Sequence, residues 1–254
     1  MNDIKLFDSL IHVAENEIGY ITNQMHENNI AGGFAVGMPS VEDYDERNYS
    51  QLILDNTDKL FPIAFYYYEP DEPISKIREN LKRIRGLKYV GIKLHPRTSK
   101  MDITDDTVAT IIREANEHGL VVLFCTYFDS NIPPFNTVDM LAAMIYKLSG
   151  AKVILMHGGT VRLLDAVELA RAFNNILLDL SLTLCKYPGS SLDMDLNFAF
   201  KHFDRRVCVG SDYPDFALKD LRNRFNFFAK DTLSEKVHNV AYKNIAAFTG
   251  LQIY

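Results

Sequence analysis

At 254 residues the chain has the length of one (β/α)8 barrel, which takes about 250 residues, although two smaller domains would also fit. With 47% hydrophobic and 24% charged residues it can bury a sizeable core without staples, which excludes a disordered chain. A formal net charge of -6 with no dense Lys/Arg cluster repels phosphate backbones, so nucleic acid is not expected as a partner.

Asp3, Lys5 and Asp8 interrupt the N-terminal apolar run that a secretory signal would need, and nowhere do about 18 uncharged apolar residues follow one another. Cys125, Cys185 and Cys208 are too few for a disulfide framework and none forms a C-x-x-C pair, so they read as reduced thiols. These features point to a cytoplasmic protein with no membrane contact that acts on a small molecule. A homo-oligomer is compatible with them.

Taken in chain order, short apolar runs alternate with segments of helical spacing. Strands are predicted over Ile4 to His12, Gly33 to Met38 and Leu60 to Tyr67. Next comes a helical stripe of Ile74, Ile77, Leu81 and Ile84, and then a strand over Tyr89 to His95. Thr104 or Asp105 caps a helix carrying Val108, Ile111, Ile112 and Ala115, and Gly119 hands it over to a strand over Leu120 to Thr126. Further strands follow over Lys152 to His157, Ile176 to Leu182 and Arg206 to Gly210. Leu218, Leu221, Phe225 and Phe228 form another helical stripe. A last helix over Ser234 to Phe248 places Val237, Val240, Ala241 and Ile245 on one side and is expected outside the barrel.

Most of the strands are continuous apolar runs, as expected where a parallel sheet is covered on both faces. No linker or composition shift divides the chain, which reads as one domain over residues 1–254. An open doubly wound sheet has the same alternation, but no glycine fingerprint follows the first strand, and eight strands suit closure into a barrel.

In such a barrel the chemistry sits at the C-terminal strand ends. The polar residues there are Asp8 and His12, Lys93 and His95, Cys125, His157, Asp179 and Ser181, then Ser211 and Asp212. Each taken singly has an equal claim to capping a helix or satisfying a loop. Jointly they would converge on one mouth. His26, His118, His202 and His238 fall on helices, away from these ends. Gly158 and Gly159 suit a tight turn, and no G-x-S-x-G elbow surrounds Ser211. The acidic stretches Glu42 to Glu46 and Glu69 to Glu72 follow strands two and three and would rim the mouth as solvated faces.

The residues themselves carry a resemblance. Gly91-Ile92-Lys93-Leu94-His95-Pro96, Ile154-Leu155-Met156-His157-Gly158-Gly159, Val209-Gly210-Ser211-Asp212-Tyr213-Pro214 and the C-terminal Lys243-Asn244-Ile245-Ala246-Ala247-Phe248 resemble, in order, motifs of the amidohydrolase-related family. The resemblance implies a TIM-barrel, metal-dependent hydrolase or decarboxylase. Its ligands would be a His-x-His pair ending strand one, a His ending strand five and an Asp ending strand eight. Here Leu10 stands at the first His of the pair and Cys125 at the strand-five His, so His12 and Asp212 remain and Cys125 is a substitute donor. A single divalent metal, zinc first, would then be held by His12, Cys125 and Asp212. Cys125 also suits a small buried hydrophobe beside Leu123 and Phe124.

A metal-free reading is equally open, and the resemblance extends to metal-independent lactonases. Asp212 would be the general base, with Lys93, His95 and His157 stabilising an oxyanion. Lys93 alternatively pairs with Asp212 or, with Arg97, binds a substrate carboxylate. Tyr66, Tyr67 and Tyr68 end strand three, and Tyr68 is the hydroxyl expected to reach a ligand. The expected activity is hydrolysis of a lactone, ester or amide. A decarboxylase and a non-catalytic, ligand-binding barrel are the alternatives.

Overall fold

A computed structural model describes residues 4–39, 44–127 and 137–253. Eight parallel strands are hydrogen-bonded in chain order: β1 (Leu6–Ile11), β2 (Ile30–Val36), β3 (Leu60–Phe65), β4 (Gly91–Leu94), β5 (Val121–Cys125), β6 (Val153–Met156), β7 (Ile176–Asp179) and β8 (Val207–Cys208). After each strand comes one principal helix, α1 (Ile18–Glu27), α2 (Glu46–Asn56), α3 (Ile74–Gly86), α4 (Asp106–Glu117), α5 (Val138–Tyr146), α6 (Leu163–Ala172), α7 (Leu192–His202) and α8 (Leu218–Ala229). This is the (β/α)8 TIM barrel that the alternation predicts. The strands are shorter than the apolar runs because several runs continue past the last ladder bond into the C-terminal loops.

The helices are built as their sequences dictate. Ile77, Leu81 and Ile84 of α3 are buried at helical spacing, whereas Ile74 in the first turn is 47% exposed. Asp105, not Thr104, caps α4: its carboxylate accepts the Thr107 N–H at 2.8 Å, while Thr104 bonds to Asp102. Gly119, at φ 67°, lets the Leu120 N–H return to Ala115 O at 2.9 Å and so closes the helix end.

Alternation along the strands sorts side chains between two cores. Ile92, Leu94, Val122 and Phe124 face the helices, while Phe34, Ile63, Leu123, Ile154 and Leu177 fill the barrel. The same period carries Lys93, Cys125 and Asp179 inward at the C-terminal ends of β4, β5 and β7. Leu10, where the resemblance would place a metal-binding His, is fully buried in the interior cluster with Phe7 and Phe34.

Barrel closure lies beyond the two residues of β8. Ser9 N–H donates to Val209 O at 3.1 Å, Asp212 N–H to Leu10 O at 3.0 Å and His12 N–H to Tyr213 O at 2.8 Å. A parallel bridge pairs Ile11 with Tyr213. The bonds that close the barrel therefore also fix His12 and Asp212 relative to each other.

The C-terminal segment departs from its expected place. It is helical over Ser234–His238 and Asn244–Thr249, joined by a π turn over Asn239–Lys243. Val237, Val240 and Ala241 pack in the outer core, but Ile245 joins the barrel interior, and the Asn244 amide donates to Asp204 O and Val207 O at the start of β8. The segment covers the N-terminal end of the barrel instead of lying wholly outside it, because the apolar interior is otherwise open there.

Gly210 sits at the closure seam, where a Cβ would lie 2.5 Å from Ser9 Oγ and 3.0 Å from both Leu10 N and Ser181 Cβ. Gly210→Ala is expected to destabilise the fold by about 1–3 kcal/mol, as overpacking does. Thermal denaturation checks this, and an unchanged Tm would show that the seam is not tightly packed.

Candidate active site

The strand ends converge on a cavity of about 590 Å3 at the C-terminal mouth, whose lining includes His12, Lys93, His95, Arg97, Cys125, His157 and Asp212. All seven come from the polar ends of sequence-defined strands or the residues just past them. Tyr68 does not line it: the hydroxyl donates to the Asp105 carboxylate that caps α4. Tyr66 is buried against Glu72 at 2.9 Å and Tyr67 is exposed. Of the acidic stretches, Glu42 and Asp43 lie outside the described residues. Glu69 and Glu72 bind Lys76, Tyr66 and Asn80 and are absent from the cavity wall. Sequence reasoning did not single out Glu17, Tyr127, Leu182, Lys186 or Asp215, which also line the cavity. They stand in loops and short turns, where no period marks them.

The tautomers of two histidines follow from their partners. His12 Nδ1 lies 2.9 Å from Val36 O and must donate to it, so Nε2 presents a lone pair. Lys93 Nζ donates to that lone pair at 3.1 Å. Burial, then the Lys93 charge, holds the His12 pKa well below the usual histidine range, so this ring is neutral. His95 Nδ1 accepts the Thr98 N–H at 3.2 Å, which puts the ring proton on Nε2.

Lys93 is 1% exposed, and burial lowers its pKa, partly offset by the negative charges of Cys125, Asp212 and Asp179. For Cys125 burial acts upward, but His95 and His157 reverse it and hold the thiol well below its ordinary value. Burial alone would lower His157; the Cys125 thiolate and then Asp212 raise it to about 9. Asp212 Oδ1 lies 3.7 Å from His12 Nε2 and Oδ2 lies 3.9 Å from His157 Nδ1, beyond direct hydrogen bonds but within electrostatic reach.

Backbone geometry holds this arrangement at a cost. His157 (φ 65°), Leu182 (φ 61°) and Asp212 (φ 60°) all line the cavity in the left-handed region, each costing roughly 1–3 kcal/mol. Buried carboxylates offset that strain. Asp179 accepts from Ser9 and Ser181 and from the His157 N–H at 3.4 Å, and burial raises its pKa. Asp8 accepts Leu10 N–H at 3.1 Å and Ser211 N–H at 2.9 Å, pinning the loop that carries Asp212.

The metal site implied by the motif resemblance does not fit these residues. Among the described residues no group of three or more His, Cys, Asp or Glu side chains is arranged to hold an ion. Leu10 fills one ligand position with hydrocarbon, and the Nε2 of His12 that would coordinate is bonded to the Lys93 ammonium instead.

No family model and no curated protein matches the sequence. Solved structures do match the fold. A TIM-barrel protein of Bordetella bronchiseptica described as uncharacterized superposes with a TM-score of 0.80 at 15% identity, over 98% of this chain and 100% of that one. A candidate amidohydrolase from Staphylococcus aureus gives 0.63 at 13%, over 98% and 100%. The 5-carboxyvanillate decarboxylase of Novosphingobium aromaticivorans, complexed with manganese and 4-hydroxy-3-methoxy-5-nitrobenzoic acid, gives 0.62 at 12%, over 98% and 96%. The chain shares the barrel fold of these three proteins.

Asp8 supplies a test that needs no substrate. Burial raises its pKa to about 7, and Oδ2 is buried without a hydrogen-bond partner among the described residues. A carboxyl raised above its unfolded value contributes stability at low pH that is lost as pH rises through the folded pKa. Asp8→Asn keeps the acceptor for Leu10 and Ser211 without the charge. Its Tm is expected to gain on the parent protein as pH rises from about 4 to about 7. A difference independent of pH would contradict a buried, protonating Asp8.

Proposed function

On the amidohydrolase barrel fold, we propose that this protein is a hydrolase of a small carbonyl compound, a lactone, ester or amide, that works without a resident metal. The carrying observation is the position of Asp212: a carboxylate at the mouth, near His12 and His157, in a cavity that also holds Lys93 and His95. Asp212 takes a proton from the attacking water, and the carbonyl oxygen gathers negative charge as the tetrahedral intermediate forms. Lys93 has one hydrogen-bond partner among the described residues, so further N–H donors remain for that oxyanion, and His95 lines the same cavity. His157, cationic at neutral pH, returns a proton to the leaving oxygen or nitrogen.

Arg97 supports binding of a substrate carboxylate. Its guanidinium lies over the Tyr127 ring at 4.8 Å, with Lys186 over the same ring at 4.4 Å. That cationic wall also favours a second reading, decarboxylation of an organic acid, which matches the named activity of a structural neighbour. Release of CO2 in place of a hydrolysed acid separates the two. No helix among the described residues is long and apolar enough to cross a membrane, and three free cysteines are in keeping with a cytoplasmic setting.

The test is Asp212→Asn, assayed on a panel of lactones, esters and amides. Asn is nearly isosteric but accepts no proton at neutral pH, so turnover is expected to fall by about 100-fold or more with Tm little changed. Full activity in the variant would end the base assignment. Turnover of no carbonyl compound, with CO2 released from an acid, would favour the decarboxylase.

A further inference from the structure

Cys125 forms no bond to substrate in the water-attack route, where it acts only through His157, yet it lines the cavity. Of the three free cysteines, Cys185 sits in the outer core and Cys208 in the barrel interior against Asp179, while only Cys125 lines the cavity. As the last residue of β5 it follows Leu123 on the inward face, so its sulfur ends the strand where the apolar lumen gives way to the mouth. The imidazoles of His95 and His157 both act on that sulfur. Beside it stands a buried ammonium, Lys93, with donors to spare. A thiol paired with an imidazole, with oxyanion donors at hand, is the constellation that covalent acyl transfer needs.

We propose that Cys125 is the nucleophile of a two-step hydrolysis, forming a thioester with the acyl part of the substrate. The proposal rests on the hydrolase reading and changes the role of Asp212 within it. Cys125 attacks the carbonyl carbon through Sγ as a thiolate, its proton already resting on His157. An S–C bond forms and the C=O π pair moves to oxygen, opposite Lys93 and His95. Collapse re-forms the carbonyl and breaks the C–O bond, and the leaving oxygen takes the proton from His157. Water then attacks the thioester carbon, giving its proton to Asp212. The S–C bond breaks with its pair returning to sulfur as the thiolate, the carboxylic acid leaves, and the proton on Asp212 passes to His157, which restores the starting state. No oxidant or further reactant is needed.

The test uses the full chain and its Asp212→Asn variant, each mixed with p-nitrophenyl acetate and followed by intact mass and peptide mapping. Asp212→Asn is expected to accumulate a single acetyl group on Cys125, because the second step is slowed while the first is not. Cys125→Ala should form no adduct and lose turnover. Ester turnover that persists in Cys125→Ala, with no acetyl on Cys125 in any variant, would overturn the nucleophile and leave direct water attack standing. Neither turnover nor adduct would overturn both readings. A second arm is independent of hydrolysis: iodoacetamide should alkylate Cys125 of the folded protein well before Cys185 and Cys208. Equal or slower reaction at Cys125 would overturn the proposal even if the enzyme proves to be a hydrolase.

Discussion

The site is organised around the contact of the Lys93 ammonium with Nε2 of His12 at the floor of the mouth. An ammonium buried without partners costs several kcal/mol, so Lys93 can stay charged there only if its neighbours supply compensation. His12 supplies a lone pair, because its other nitrogen is committed to Val36 O. Cys125, Asp212 and Asp179 supply negative charge. Burial and then the same ammonium keep His12 neutral, and Lys93 retains donors for a developing oxyanion. One buried cation thus reinforces the neutral state of a histidine and contributes to the polarity of the cavity.

That arrangement also accounts for the altered ligand set. A divalent ion held by His12 would have to displace Lys93 from Nε2 and place two positive groups in one small space. With Leu10 packed into the barrel interior, no second imidazole from β1 offsets the repulsion. The residues that would have held an ion are instead joined by protons and charge: His12 to Lys93, and Cys125 to His95 and His157. Their framework is the β8 to β1 seam, where backbone bonds fix His12 and Asp212 together and the carboxylate of Asp8 pins the loop between them.

Much of this was legible in the sequence, for a physical reason. Period-two alternation in strands buried on both faces makes a lone polar residue conspicuous, so Lys93, Cys125 and Asp179 stood out against their apolar neighbours. Closure of the barrel then brings separate strand ends to one mouth. Tyr68 was misleading because it lies past the end of β3, where alternation no longer says where a side chain points, and its hydroxyl serves a helix cap. Lys186 and Tyr127 were silent because they stand outside the ladder and meet only through the fold. The inward turn of Ile245 was hidden too: a helical stripe says which residues are buried, not which of two cores receives them.

The central proposal is that this mouth works without a resident metal, with Lys93 bonded to the His12 nitrogen that would otherwise coordinate one. Metal analysis of protein purified without chelator or added metal tests it most directly. The account predicts far less than one divalent ion per chain, with no further change in Cys125→Ser. One tightly held ion per chain that is lost on His12→Ala or Cys125→Ser would contradict it, and would return these side chains to the role of ligands.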